Sequence, residues 1–304
     1  MRHYKGGVFF VDVLGVNALT RKRLTLSEAN YSAHGLTKSK RQTEHYLGAQ
    51  LLIKFRKILS QIQKKRKRVQ VAQLSDCAFL WSSDLLELLN AAREFMWEST
   101  RNGLLSRGGI AYGDIIQPDK VNTSVGRFVL GEAATKAVEL EKRGKGCRIF
   151  CDNDLPCKIL DNSIHRCPPF VCLKNPIDCS IVDEFRWYLF PDEIKKDVTL
   201  DKETSAVAIM ELICMLRHSP QFGWNVASHE GEVQIASSVE TLSSCVNLFS
   251  KQLDYKISSE TLIGNLISNR GKSVLNRRLE NVRSEIADAF SKAKSGRSAG
   301  YHGA

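Results

Sequence analysis

The stretch FFVDVLG at residues 9–15 decides the fold, because it is a short apolar strand that carries one aspartate, Asp12, and ends at a glycine. A second stretch, VQVAQLSDCAFLW at residues 69–81, places Asp76 between two apolar runs and predicts a hairpin. Between them, residues 41–63 have apolar side chains three or four positions apart, which predicts an amphipathic helix. The order strand, helix, hairpin presents both aspartates from one sheet.

The two aspartates predict a divalent metal site. Carboxylates held close together disfavour each other's ionisation unless a cation lies between them. Oxygen ligands that leave room for water and phosphate are typical of Mg²⁺ or Mn²⁺ sites, which phosphoryl transfer uses. An aspartate at a strand end is also an ordinary turn former, so the prediction depends on the segments that follow.

The rest of the chain continues to alternate between helices and strands, and then changes character. A helix is predicted from Asp84 to Asn102, with a strand at SRGGIAYGDI, residues 106–115. A turn, a helix and a strand follow over residues 125–150, and FRWYLF, residues 185–190, predicts the final strand of the sheet. Beyond Pro191 the chain reads as amphipathic helices.

This succession resembles the catalytic domain of class III nucleotidyl cyclases over roughly residues 5–190. Four motifs of that family are matched in order, by Phe10, Asp12 and Gly15; by Asp76; by Arg107, Gly109, Ile110 and Gly113; and by Gly131, Ala137 and Leu140.

The resemblance implies an α/β fold, a ferredoxin-like sheet flanked by helices. It also implies a catalytic domain at residues 1–191 and a mainly helical C-terminal extension at 192–304, whose tail from about 295 is expected to be disordered.

Two positions at which the family reads its purine base are occupied by Ala72 and Phe128. Neither side chain can make the hydrogen bonds that discriminate adenine or guanine, and the bulk of Phe128 favours a smaller ring. This pattern resembles the pyrimidine branch of the family, the bacterial Pycsar-type cyclases. It implies UTP or CTP as substrate, cyclic UMP or cyclic CMP as product, and a downstream effector activated by that product in defence against phage.

The resemblance also implies the cofactors and the assembly. Asp12, Asp76 and the carbonyl of Val13 would hold two Mn²⁺ or Mg²⁺ ions per active site. Two chains would form a homodimer whose active sites are composite, each built from both chains.

The residues of the late helix depart from the family's pattern. Thr135 stands in place of the asparagine that supports the transition state, and Glu139 in place of the arginine. The nearby cations that could replace the arginine are Arg127, Lys136 and Arg143. Two alternatives stay open: a purine cyclase with an atypical base pocket, and an inactive cyclase-like module that binds nucleotide or a partner.

Composition narrows the remaining classes. The net charge of +11 and the run KKRKR at residues 64–68 suggest nucleic acid, but basic residues also suit the end of a helix, and the latter interpretation is preferred. No apolar stretch reaches the roughly 18–20 residues of a membrane helix. Nine scattered cysteines, an odd number without a common zinc spacing, predict reduced thiols. We therefore expect a cytoplasmic protein without a nucleic-acid or membrane partner.

Overall fold

The computed structural model describes residues 1–21, 24–39, 43–120, 126–161, 170–174, 181–195 and 200–249, and the single positions 284, 287, 288 and 291. Its strands are β1 (Arg2–Val13), β2 (Gln70–Leu74), β3 (Cys77–Ser82), β4 (Ser106–Gln117), β5 (Ile149–Cys151), β6 (Phe170–Lys174) and β7 (Ile181–Phe185). Its helices are α1 (Val16–Thr20), α2 (Glu28–Ser32), α3 (Glu44–Lys65), α4 (Leu85–Arg101), α5 (Glu132–Glu141), α6 (Asp154–Asp161), α7 (Lys202–His218) and α8 (His229–Phe249).

The described strands form one seven-stranded sheet in the order β2-β3-β1-β4-β5-β7-β6. β1 pairs antiparallel with both β3 and β4, while β4 and β5 are parallel. The first four strands follow the chain order β1-α3-β2-β3-α4-β4 and lie in the order β4-β1-β3-β2. This is the βαββαβ arrangement of ferredoxin-like folds. The predicted α/β fold, a ferredoxin-like sheet flanked by helices, is confirmed.

The alternation of side chains along β1 creates two apolar layers. Phe9 and Val11 belong to the larger core, which also contains Phe95 of α4. Val8 and Phe10 point to the other face and belong to a smaller core together with Ala137 of α5. Because Asp12 has the same parity as Phe10, its side chain lies on the α5 face.

The prediction of a strand over residues 185–190 is wrong beyond Phe185. β7 ends there, and Trp187–Leu189 form one turn of 3₁₀ helix with all three side chains buried. A strand would send successive side chains to opposite faces. The turn instead brings Trp187 edge-on to Trp97, with the ring centroids 5.6 Å apart.

The C-terminal extension is helical in its described part, and α7 and α8 share the larger apolar core with the sheet. The segment before α8 also contacts the exit of β1: a Cβ on Gly15 would lie 2.7 Å from the Trp224 ring, and Asn225 donates to the Leu14 carbonyl at 3.3 Å. The division of the chain at residue 191 stays a prediction. Residues 274–294, a part of the C-terminal extension expected to be helical, lie almost entirely outside the described residues, and the tail lies entirely outside them. None of the described helices is both long enough and apolar enough to cross a membrane.

Candidate active site

The hairpin brings the two predicted metal ligands together. Asp12 is the penultimate residue of β1 and lies opposite Cys77 in the pairing with β3. Asp76 precedes that cysteine in the two-residue turn between β2 and β3, and its carbonyl accepts a hydrogen bond from the Val13 N–H at 3.0 Å. The turn is held with Ser75 at a φ of 57°, a conformation that glycine usually adopts. The backbone thus fixes both aspartates at one end of the sheet.

The electrostatics of the pair are those of two crowded carboxylates. The pKa of Asp12 is raised to about 7, chiefly by burial, next by the charge of Asp76 and then by that of Glu141. Arg107, opposite Asp12 in the pairing with β4, opposes this shift but does not cancel it. A cation between the two aspartates would relieve the repulsion.

The donor set suits a hard divalent ion. Burial and the neighbouring carboxylates raise the pKa of Cys77 to about 11, so it stays a neutral thiol and donates to the Leu74 carbonyl at 3.1 Å. Oxygen ligands therefore dominate, as Mg²⁺ and Mn²⁺ require. Within the described ranges no group of three or more His, Cys, Asp or Glu side chains could hold a metal. A metal here needs further oxygen ligands from the backbone, water or substrate phosphate, which fits Asp12, Asp76 and the carbonyl of Val13.

A buried ion pair between Arg107 and Glu141 lies beside Asp12. The Arg107 guanidinium donates from Nε to Glu141 Oε1 at 2.7 Å and from a terminal nitrogen to the Gly144 carbonyl at 2.9 Å. Both side chains are largely buried. The pair connects β4, beside Asp12, to the end of α5. Sequence reasoning found Arg107 only as a motif match and missed Glu141, since nothing in a strand–helix pattern indicates a contact across 34 residues.

The late helix presents its predicted residues to solvent. Thr135 and Glu139 are both exposed, one turn apart on α5, and the Thr135 hydroxyl lies 3.4 Å from the Gly131 carbonyl. Lys136 is committed to carboxylates of its own chain: its amino group lies 3.0 Å from Glu132, 3.3 Å from Asp154 and 3.6 Å from Asp152. Arg143, just past the helix, is exposed.

The predicted base-pocket residues lie elsewhere on the α5 face of the sheet. Ala72 pairs with Phe79, which pairs in turn with Phe10 at a ring-centroid distance of 4.9 Å. Phe128 is 48% exposed in the segment that leads into α5. Arg127 lines a cavity toward the start of β1, away from Asp12. The structure thus brings Asp12, Val13 and Asp76 together in one chain, while Arg127 lies toward the other end of the strands.

The basic run at residues 64–68 is built into the contact between α3 and α4. Arg66 is buried and lies 3.0 Å from Glu94 and from Glu193. Lys65 also pairs with Glu94, and Arg68 lies 2.9 Å from Asp84. Three of its five basic side chains therefore have carboxylate partners in the chain itself, and the run lies at the end of α3, which ends at Lys65. The cysteines in the described residues are free thiols.

Comparison with known proteins gives structural likeness only. No family model matches the chain, and no curated protein matches it. Similar solved structures include a bacterial light-regulated adenylyl cyclase, which is 14% identical over 62% of this chain and 92% of that chain, with a TM-score of 0.43. The dimeric guanylyl cyclase domain of the RhoGC fusion protein from the aquatic fungus Blastocladiella emersonii is 13% identical over 61% and 98%, with a TM-score of 0.42. The adenylyl cyclase CyaB from P. aeruginosa is 14% identical over 65% and 100%, with a TM-score of 0.41. Because these identities and TM-scores are low, the fold is identified from the order of the strands, and no activity is inferred from these likenesses.

Proposed function

We propose that the chain is a nucleotidyl cyclase that converts UTP or CTP to the 3′,5′-cyclic monophosphate and pyrophosphate. The observation that carries the proposal is the hydrogen bond between the Val13 N–H and the Asp76 carbonyl, which juxtaposes Asp12 and Asp76. The raised pKa of Asp12 adds that this juxtaposition is electrostatically costly without a cation. The product would activate an effector in a cytoplasmic defence against phage, as the resemblance to the pyrimidine branch implies.

The chain's own residues would position the substrate rather than react with it. Asp12, Asp76 and the carbonyl of Val13 would hold the divalent ions, Mn²⁺ or Mg²⁺, which would supply positive charge at the α-phosphate and acidify the ribose 3′-hydroxyl. The buried pair of Arg107 and Glu141 fixes the strand beside Asp12. The 3′-hydroxyl loses its proton to water, in-line attack of the 3′-oxygen on the α-phosphate forms the cyclic ester, and pyrophosphate leaves with the electron pair of the broken bond.

A second chain would complete each site. Thr135 and Glu139 lie on the solvent face of α5, where Thr135 could contact ribose held at the metal pair of another chain. Leu74 and Phe128, 68% and 48% exposed, are large apolar side chains on the segments that border this face, and contact with a second chain would cover them. A two-fold homodimer would contain two equal composite sites.

The ion pairs of Lys136 favour one competing function, a nucleotide-binding module without turnover. With Lys136 paired to three carboxylates and an acidic residue at position 139, α5 offers little free positive charge to a pentavalent phosphate. A nucleotide-binding module without turnover would need none. Arg143, or a cation from elsewhere in the dimer, must supply that charge if the chain is active.

Complementation between two inactive variants tests the proposal. Asp76→Asn removes a metal ligand, and Thr135→Trp blocks the exposed face of α5. Each variant alone should make no cyclic nucleotide. Mixed after co-refolding, half of the dimers combine both chains and regain one of two sites, so activity should return to about a quarter of wild type.

Two outcomes would count against the composite cyclase. The first is turnover retained by Asp76→Asn, which would remove the metal pair from the mechanism. The second is the formation of heterodimers, as seen by native mass spectrometry, that stay inactive.

A further inference from the structure

A cavity of about 180 Å³ lies toward the start of β1, at the other end of the strands from Asp12. Its lining consists of Arg2, Gln70, Trp81, Gln117, Pro118, Asp119 and Arg127. Clefts that hold whole drug-sized ligands measure roughly 300–1,000 Å³. This cavity therefore suits one ring of a ligand rather than an entire nucleotide.

One amide in the cavity is oriented by its neighbours. The indole nitrogen of Trp81 donates to Gln117 Oε1 at 2.5 Å, and the Tyr4 hydroxyl donates to the same oxygen at 3.3 Å. An indole N–H can only donate, so the amide oxygen must face Trp81 and the NH₂ group must face away from it. That NH₂ group has no hydrogen-bond partner among the described residues. Gln117 is thus a fixed donor.

Arg127 adds a second group that can only donate. Its guanidinium makes no ion pair within the part of the chain that the structure describes, unlike Arg2, which lies 3.6 Å from Asp119. Together, Gln117 and Arg127 present donors beside the aromatic side chain of Trp81. Such a set matches a planar ring that displays acceptors.

We propose that this cavity holds the ring of the nucleotide substrate and that Gln117 and Arg127 select uracil. The inference rests on the proposed function and names the base that the active site takes. Uracil displays two carbonyl oxygens on either side of an N3–H, whereas cytosine carries an amino group in place of the oxygen at position 4. Gln117 and Arg127 can donate to the two oxygens of uracil, but the donor at position 4 would oppose the amino group of cytosine. The N3–H of uracil would be accepted by Asp119 or by the amide oxygen of Gln70, which also line the cavity.

The location of the cavity explains how the base can be recognised although Ala72 and Phe128 cannot form hydrogen bonds to it. Gln70 lies two residues before Ala72 on the same face of β2, and Arg127 immediately precedes Phe128. The cavity therefore adjoins the two positions at which the family reads its base, while Gln117, the last residue of β4, corresponds to neither of them. Measured along β1, the cavity extends from Val8, the partner of Trp81, to Arg2, which lie four and ten residues from Asp12, roughly 13–33 Å of strand. In a composite dimer, the ring held by one chain would deliver its phosphates to the metal pair of the second.

The first test replaces the NH₂ donor of Gln117 by a substitution that preserves the shape of the side chain. Gln117→Glu retains an oxygen for Trp81 and Tyr4 but replaces the NH₂ donor with an acceptor. Wild type should form mainly cyclic UMP from an equimolar mixture of the four ribonucleoside triphosphates with Mn²⁺. The variant should lose at least about tenfold in its preference for UTP over CTP. Arg127→Gln should reduce the same ratio.

Gln61→Glu is the matched control, because it makes the same change at an exposed position on α3, which packs on the opposite face of the sheet. It should leave the UTP to CTP ratio unchanged. If Gln117→Glu and Arg127→Gln both keep the wild-type ratio while remaining active, the cavity does not read the base and the inference is overturned.

Binding separates this inference from the proposed function. Calorimetric titration of UTP and CTP in Ca²⁺, without turnover, reports ring recognition alone. If wild type prefers UTP and Gln117→Glu loses that preference, the cavity stands even when no cyclic product is ever found. Cyclic product without any dependence on these two residues would leave the cyclase intact and overturn the cavity. Neither binding nor turnover would overturn both.

Discussion

Asp12 has a carboxyl group that is protonated in part at neutral pH when no metal is present. Its pKa of about 7 in the folded chain lies above the ordinary value of about 3.9 that it takes when unfolded. The folded chain therefore binds an extra proton between pH 4 and 7. Protonation of Asp12 therefore stabilises the folded chain at low pH, and this stabilisation is lost as the pH rises toward 7.

This loss of stability with rising pH can be measured. In metal-free buffer, the free energy of unfolding of wild type should fall between pH 5 and 8 by about 2 kcal/mol more than that of Asp12→Asn. Urea unfolding at the two pH values measures the difference. Parallel pH profiles for the two proteins would show that Asp12 is not crowded.

Metal should reverse this dependence. Because ligands must be deprotonated before they bind, Mn²⁺ should raise the melting temperature more at pH 8 than at pH 6. The shift should vanish in Asp76→Asn, while Asp84→Asn, which removes a helix-capping carboxylate on α4, should keep it. An equal Mn²⁺ shift in Asp76→Asn would place the bound ion elsewhere.

At the scale of elements, α5 is held directly on β4. A Cβ on Gly109 would lie 2.1 Å from the Ala137 carbonyl oxygen, so this glycine permits the contact. Gly109→Ala should destabilise the protein by about 2–3 kcal/mol. Gly48→Ala in α3 is the control, since a Cβ there meets nothing within 4 Å, and it should be neutral or stabilising by up to about 1 kcal/mol. Calorimetric melting checks both; a neutral Gly109→Ala would mean that α5 moves freely on the sheet.

Local sequence patterns predicted most of the helices and strands, whereas contacts between residues far apart in the chain were not predicted. The helix at Glu44–Lys65 and the hairpin around Asp76 follow from periodicity and a two-residue turn, which neighbouring residues determine. The turn at Trp187–Leu189 was misread as a strand because consecutive large apolar residues suit either structure until their burial is known.

The same limit applies to the site. The Asp12–Asp76 pairing follows from strand order. The partner of Arg107 and the amide orientation of Gln117 depend on residues dozens of positions away.

At the scale of the whole molecule, the C-terminal helices are part of the core that supports β1, the strand that carries Asp12. α7 and α8 bury apolar residues such as Ile213 and Ile235 in the cluster that contains Phe9. Asn225 bonds the carbonyl of Leu14, two residues after Asp12. Removing these helices would expose that apolar surface to water.

A chain truncated after residue 191 should therefore fail to fold stably. Circular dichroism and size-exclusion chromatography of the fragment 1–191 test this, with a chain ending at residue 294 as the control that keeps α7 and α8. A soluble, cooperatively melting fragment would establish residues 1–191 as an independent domain and reduce the extension to an accessory.

The most direct test of the cyclase assignment is to identify the product by mass spectrometry after incubating the pure protein with Mn²⁺ and all four ribonucleoside triphosphates. We expect a cyclic pyrimidine nucleotide, with cyclic UMP dominant, and none from Asp76→Asn. A folded, dimeric, metal-loaded protein that forms no cyclic nucleotide would contradict the assignment and make Glu139 the mark of a chain that binds nucleotides without turning them over.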